Sequence, residues 1–406
     1  GISILKLGPT APNAPLPERM TDSKTDGTTR QALQGGAEHA ASALLARHFH
    51  GVRQRVRAAV SGCLLLAAVW GVLAAGYLAC PGRYASDVII ASDTGAWRTE
   101  RPLIGIVSQS LGPDALGSGP ASDVGLAGPG KSYIAASYVK FVESAGARVV
   151  PILQDMPREE VERRFKAVNG ILIPGGSQTL SPGHPYYDTT KLLLDMAIKE
   201  NDAGTSFPLH GTCLGFEALA VAVTGNYSVL QDFDAGDDPR PLIPGSDMGS
   251  SEFFGSMHRD LRNALFSRPL AYENHVHGIT YADFIDNPAL AEFFDVLTMS
   301  VDKRGKQYIS TMEAKRYPVS ATQWHPEKNI FEWSPGLRIP HDPVAVLITQ
   351  AVANAFVNRS RKNGHAPASL EEENELLIYN WSQNLEFTGR RGGVFDQVYT
   401  FAPWAR

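Results

Sequence analysis

The sequence predicts an α/β fold: a mostly parallel central sheet flanked by helices, preceded by a disordered extension and one apolar helix. Three observations carry that prediction. From residue 101 onward, short apolar runs rich in β-branched residues alternate with segments of helical period, the pattern of strand–helix–strand units. The stretch FPLHGTCLGFEALAVAV joins one such strand to one such helix through a sharp glycine turn. The first hundred residues follow neither pattern.

Residues 8 to 44 are rich in Pro, Gly, Ala, Ser and Thr without periodicity, so residues 1–52 are expected to be a disordered extension. Arg53, Arg55 and Arg57 then precede residues 58 to 80, which carry no charge. About 20 mostly apolar residues suffice to span a bilayer, and a buried core helix would show a polar stripe that this one lacks. The reading adopted for 53–80 is a basic flank with a transmembrane signal anchor. A cleaved signal peptide is its nearer rival, with Ala75, Gly76 and Ala79 as small residues at a cleavage site. The arginines place the N-terminus on the cytoplasmic side and the rest in the lumen or outside. Residues 81–100 read as a linker and 101–406 as one folded domain.

Within that domain, PLIGIVSQ is a first strand. SYIAASYVKFVESAGA has helical spacing and stops at Gly146. RVVPIL is a second strand, and MPREEVERRFKAV a polar helix with acidic residues in its first turn, where the dipole favours them. GILIPGG is a third strand running into a Gly-Gly turn, followed by the helix TTKLLLDMAIKENDAG. FFDVLTMSVD, KQYISTMEA and PVSATQWHPEK read as strands, and VAVLITQAVANAFVNRSR as a helix. The tail from EEENELLIYN to FDQVYTF holds a short helix and an edge strand. Sheets of this kind place their sites at the carboxyl ends of strands.

A net charge of −5 with no long basic run argues against nucleic-acid binding. Of three cysteines only Cys213 lies beyond residue 80, so the domain holds no internal disulfide. Asn226-Tyr-Ser, Asn358-Arg-Ser and Asn380-Trp-Ser are glycosylation triplets that also arise by chance.

Gly211-Thr-Cys213-Leu-Gly215 has the spacing of a nucleophile elbow, a strand turning abruptly into a helix with the central side chain thrust out. At a helix N-terminus, N–H groups and the dipole favour a thiolate. The Leu214 N–H is placed for a developing oxyanion, and the Gly175-Gly176 turn offers a second donor. The plain alternative is a buried cysteine packed as a small hydrophobe. A thiol nucleophile needs a proton carrier. His325, in ATQWHPEKN, ends a predicted strand, and Glu327 follows past the rigid Pro326. A carboxylate on the far imidazole nitrogen would set the tautomer. A surface His-Pro turn with a solvated Glu is the alternative.

GTCLGFE together with QWHPEK resembles the γ-glutamyl hydrolases of the class I glutamine-amidotransferase-like superfamily. The resemblance runs from RPLIGIVSQ through YIAASYVKFVESAGARVVP, NGILIPGG, ISTMEA and FVNRSRKN to VYTF, about residues 101 to 403. It implies an α/β core and hydrolysis of γ-glutamyl bonds in folylpoly-γ-glutamates by a cysteine nucleophile, with no metal or cofactor. It puts the nucleophile on Cys213, the general base on His325 and the supporting acid on Glu327. Gly175, Gly176 and Leu214 match the oxyanion donors. Glu217 matches a position near the substrate, against a first-turn Glu that merely offsets the helix dipole. In ENHVHGIT, His275 matches a histidine near the active site. His277 would share its strand face, but no third ligand with a metal-site spacing follows, and His277 stays unassigned.

The resemblance also implies a secretory-pathway protein of vacuole, lysosome or extracellular space, often a homodimer. It covers nothing of residues 1 to 95, and the membrane is a partner only if residues 58–80 stay uncleaved. His210 stands where an aromatic residue is expected. Two rival functions share these residues: a glutaminase or amidotransferase domain, and an anchored binding domain without turnover.

Overall fold

The structure is a computed structural model; it describes residues 97–111, 130–245, 248, 251–388 and 395–404. The expected extension, apolar helix and most of the linker lie outside the described residues. No helix among the described residues is long and apolar enough to cross a membrane.

The strands follow in chain order: β1 Leu103–Val107, β2 Gln109–Ser110, β3 Ser132–Ala135, β4 Arg148–Ile152, β5 Gly170–Ile173, β6 Leu209–Thr212 and β7 Gln231–Arg240. They continue with β8 Ile243–Pro244, β9 Ala271–Gly278, β10 Phe294–Val301, β11 Gln307–Ala314, β12 Val319–Thr322, β13 Leu385–Phe387 and β14 Gln397–Phe401. Eight of them form the central sheet in the order β4-β1-β5-β6-β12-β11-β10-β8. The five from β4 to β12 run parallel to one another, and β11, β10 and β8 add antiparallel pairs. This is the expected mostly parallel α/β architecture. Strands β1, β4, β5, β6 and β12 are buried along almost their whole length, as a parallel sheet covered by helices on both faces requires.

The helices that matter for the site are Ala136–Ser144, Pro185–Asp202, Leu214–Thr224 and Pro343–Ser360. The Arg158–Ala167 helix carries Glu159 and Glu160 in its first turn as expected. The Ala136–Ser144 helix is followed by Gly146 at φ +84°, a conformation an L side chain rarely adopts. Pro343–Ser360 buries Ile348, Val352 and Phe356 and starts on Asp342, whose carboxylate accepts from the N–H groups of Val344 and Ala345.

Three elements depart from the sequence expectation, and a fourth lies where the sequence analysis assigns none. The start of SYIAASYVKFVESAGA is strand β3, because Tyr133 and Ile134 pair with Thr400 and Tyr399 of β14, a partner that local periodicity cannot reveal. For the same reason β14 is an inner strand, flanked by β13 and β3. Strand β12 stops at Thr322, so His325 stands three residues beyond it, on a loop. QDFDAGDDPR, with its Asp, Gly and Pro, forms β7 and pairs with β9 across two register shifts, with Asp237 at φ +46°. Those shifts absorb residues that a regular strand would reject.

Two glycines set how closely the Leu214–Thr224 helix meets the sheet. A Cβ on Gly215 would lie 2.1 Å from the Ile173 carbonyl oxygen, and one on Gly211 would lie 2.6 Å from the Gly215 carbonyl oxygen. Both obstacles are backbone and cannot rotate away. Gly215→Ala is therefore expected to destabilise the protein by about 1–3 kcal/mol, the usual cost of overpacking. Urea denaturation measures it, and an unchanged midpoint would contradict the close approach.

Candidate active site

Strands β5, β6 and β12 lie side by side and end level. Ile173 pairs with Gly211, and Thr212 pairs with Thr322. The chain leaving β5 is Pro174-Gly175-Gly176, that leaving β6 is Cys213, and that leaving β12 runs through Gln323 and Trp324 to His325. The Cys213 N–H donates to the Thr322 carbonyl at 2.7 Å, joining two of these exits directly.

Cys213 has φ +50° and ψ −106° between β6 and its helix. For a residue with a Cβ this is strained, and such strain is held only where the surroundings over-determine it. Here the β12 hydrogen bond and the two glycines do so. The thiol is buried, and burial pushes its pKa well up. The Glu217 and Glu327 carboxylates push it further, while the Leu214 N–H pulls it down. The helix-terminus contribution expected from the sequence is present, but burial outweighs it, so the resting sulfur carries its proton.

His325 and Glu327 are both buried, with Nδ1 2.8 Å from Glu327 Oε1. Burial lowers the His325 pKa against the pull of Glu327. Burial alone would raise the Glu327 pKa, but His325 and Lys328 hold it below the usual carboxylate value. The pair is thus a neutral imidazole beside a carboxylate. A carboxylate only accepts, so Nδ1 carries the hydrogen and Nε2 offers a lone pair. That Nε2 is buried and, among the described residues, has no hydrogen-bond partner. A Cβ on Gly175 would lie 2.8 Å from His325 Cε1 and 3.1 Å from Cys213 Cβ, so imidazole and thiol crowd the same point.

The glycine turn is held by residues that sequence reasoning did not single out. Gly175 N–H donates to Tyr138 Oη at 2.8 Å, and the same oxygen lies 3.4 Å from His325 Nδ1. Gln109 Nε2 donates to the carbonyls of Gly175 and Pro174, and Tyr186 Oη donates to Pro174. A Cβ on Gly176 would fall 1.7 Å from Gln109 Oε1. Because the Gly175 N–H is already engaged, the Gly176 N–H is the donor of that turn left for a ligand oxygen. The position of Gln109 just past β1 was the one available signal. Tyr138 gave none, since it reads as a core position of its helix.

A cavity of about 500 Å³ opens onto Cys213, Leu214 and Gly176, within the range of small-molecule sites. Glu217 lines it too. Its Oε1 accepts from Gln323 Nε2 at 3.1 Å, and burial raises its pKa to about 7 against the pull of His275. His275 also borders the cavity, yet both its nitrogens turn inward. Nδ1 is 2.7 Å from the His277 carbonyl oxygen. Nε2 lies 3.2 Å from Glu273 Oε2, without the alignment of a hydrogen bond. Glu273, fully buried, in turn accepts from Ser310 Oγ at 2.7 Å. His277 stands at the rim, 3.6 Å from Asp232. Among the described residues no group of three or more His, Cys, Asp or Glu is arranged to hold a metal ion. His210 is buried, stacked 5.7 Å from Phe253, with its pKa lowered to about 3 by burial. It fills an aromatic's place as a neutral ring.

A strained cysteine at the mouth of a strand–helix elbow, beside a neutral imidazole with a free Nε2, defines the class: an α/β protein built for cysteine-based acyl chemistry. Comparison with known proteins narrows it. The Peptidase C26 family model matches residues 102–237. Human γ-glutamyl hydrolase is 39% identical, covering 74% of this chain and 90% of its own. The mouse γ-glutamyl hydrolase is 38% identical over 75% and 90%, and Arabidopsis thaliana γ-glutamyl hydrolase 1 is 37% identical over 74% and 83%. The chain belongs to the γ-glutamyl hydrolase family.

Two outcomes test this site. Glu217 binds its proton more tightly folded than unfolded, so the native state holds more protons between pH 4.5 and about 7. Stability falls as pH rises through that window, by roughly 3 kcal/mol from this group. Glu332, also raised to about 7 by burial, adds to the same slope. Denaturant titrations at pH 5 and 7.5 are expected to show a smaller loss in Glu217→Gln than in wild type. Tyr138→Phe removes the acceptor of the Gly175 N–H and is expected to cost about 1–3 kcal/mol, with lowered activity; full activity and stability would make that hydrogen bond dispensable.

Proposed function

We propose that this enzyme hydrolyses γ-glutamyl bonds in folylpoly-γ-glutamates through a γ-glutamyl thioester on Cys213. The observation that carries the reading is the level exit of Cys213, the Gly175-Gly176 turn and the His325 loop from three parallel strands. As Cys213 Sγ bonds to the γ-carbonyl carbon, its proton passes to His325 Nε2. The carbonyl electron pair moves onto oxygen, where the Leu214 and Gly176 N–H groups receive it. Collapse breaks the carbon–nitrogen bond, and Nε2 returns its proton to the leaving amine. Water then adds to the thioester, giving a proton to Nε2, and the thiol departs with that proton. Glu327 keeps Nδ1 protonated and stabilises the imidazolium formed in each half-reaction.

The same proposal includes entry into the secretory pathway, supported by the uncharged run at 58–80 behind three arginines. The division at about residue 100, read from the change of pattern at Arg101, belongs to it as well, as does association into dimers, which the family resemblance implies.

Incubation with a pteroylpolyglutamate and chromatography of the products test the activity. Shortened folates with free glutamate or γ-glutamyl peptides are expected, with Cys213→Ala slower by more than about 10³-fold. Appreciable turnover by that variant would remove Cys213 as nucleophile. Ammonia release from glutamine without chain cleavage would replace this reading by a glutaminase.

A further inference from the structure

The cavity is larger than one glutamyl residue requires, and its two ends differ in chemistry. The inner end is polar: Cys213, the Gly176 turn and Glu217. The outer end is bordered by Tyr227, Val276 and His277. Tyr227 is 44% exposed, and Val276 is 62% exposed although it belongs to an otherwise largely buried strand. Tyr227 begins the short turn Tyr227–Val229 after the nucleophile helix, and Val276 and His277 lie on β9. The Tyr227 and His277 rings meet edge to face, with centroids 6.4 Å apart and planes at 68°. No Lys or Arg lines the cavity among the described residues.

We propose that Tyr227, Val276 and His277 form an aromatic subsite that holds the ring system attached to the acylated glutamyl residue, with Tyr227 as the specificity-determining side chain. This rests on the γ-glutamyl hydrolase reading. In a folate, the p-aminobenzoyl ring is joined by an amide to the α-nitrogen of the first glutamyl residue. When that residue's γ-carbonyl sits at Cys213, three carbons and one amide separate it from the ring, and an extended ligand carries the ring away from the buried thiol toward the exposed end of the cavity. A flat apolar ring gains from the exposed Val276 and from stacking or edge contact with Tyr227 and His277. The anionic tail finds no countercharge in the described lining, so the cavity rewards the aromatic end over the tail. The enzyme accordingly favours the γ-bond nearest the aromatic group.

The test compares two substrates in the full-length enzyme: pteroyl-γ-glutamylglutamate and N-acetyl-γ-glutamylglutamate. They share the scissile bond and the α-amide, and only the first carries the rings. Tyr227→Ala is expected to raise KM for the pteroyl substrate about threefold to tenfold and leave the acetyl substrate unchanged. Tyr227→Phe, which keeps the ring, is expected to behave as wild type, and His277→Ala to shift KM in the same sense as Tyr227→Ala. With pteroyltriglutamate, wild type should release pteroylmonoglutamate first, and Tyr227→Ala should lose that order. Equal KM changes for both substrates, or none, would overturn the subsite while leaving the hydrolase reading intact. A wild-type enzyme inactive on both substrates would overturn that reading and the subsite with it.

Discussion

Everything at the centre of this protein depends on the register of three parallel strands. Pairing of Ile173 with Gly211 and of Thr212 with Thr322 brings β5, β6 and β12 to an end at one level. A slip of one residue would turn each alternate side chain to the other face, and the thiol, the glycine turn and the imidazole loop would no longer meet. The register is enforced from both sides. Gly215 lets the Leu214–Thr224 helix rest on the Ile173 carbonyl, and the Cys213 N–H is spent on β12. The strain at Cys213 is thus a consequence of sheet geometry, sustained by contacts that a relaxed backbone would forfeit.

How much of this could be read from the sequence follows from the range of the interactions. The elbow was legible because its signal is local: two glycines four residues apart around a cysteine, between a strand pattern and a helix pattern. The His325–Glu327 pair was legible for the same reason, being two residues apart around a proline. Tyr138 and Gln109 were not, because each acts through a contact with the Gly175 turn that lies far away in sequence. Glu273 escaped notice since nothing around it marks a fully buried carboxylate, and β7 since its Asp and Gly content describes a loop. Strand β3 was hidden by a helical spacing that the distant β14 overrides. The segment at 58–80, plain in the sequence, lies outside the described residues.

The site also concentrates acids where water is scarce. Glu217, Glu273 and Glu327 are all buried around one thiol, and each meets a different partner. Glu327 is held ionised by His325 and Lys328, Glu273 is met by Ser310 and faces His275, and Glu217 keeps its proton up to about pH 7. Burying carboxylates is costly unless each is paired or neutralised, and this arrangement uses both solutions within one pocket.

That distribution explains why the resting pair is neutral. A preformed thiolate at Cys213 would stand near the Glu327 carboxylate and, above pH 7, near Glu217, and both raise the thiol pKa. The free Nε2 of His325 is therefore a proton acceptor in waiting rather than half of a standing ion pair. On the proposed reading, charge separates only as the carbonyl carbon accepts the sulfur. At that moment the negative charge moves past the sulfur to an oxygen held by the Leu214 and Gly176 N–H groups. The imidazolium left behind is a cation that Glu327, hydrogen-bonded to its Nδ1, is placed to stabilise. Separating charge only in the transition state directs the electrostatic energy to the reaction rather than to the ground state. The same acids that make a free thiolate costly thereby favour passing its charge to the substrate.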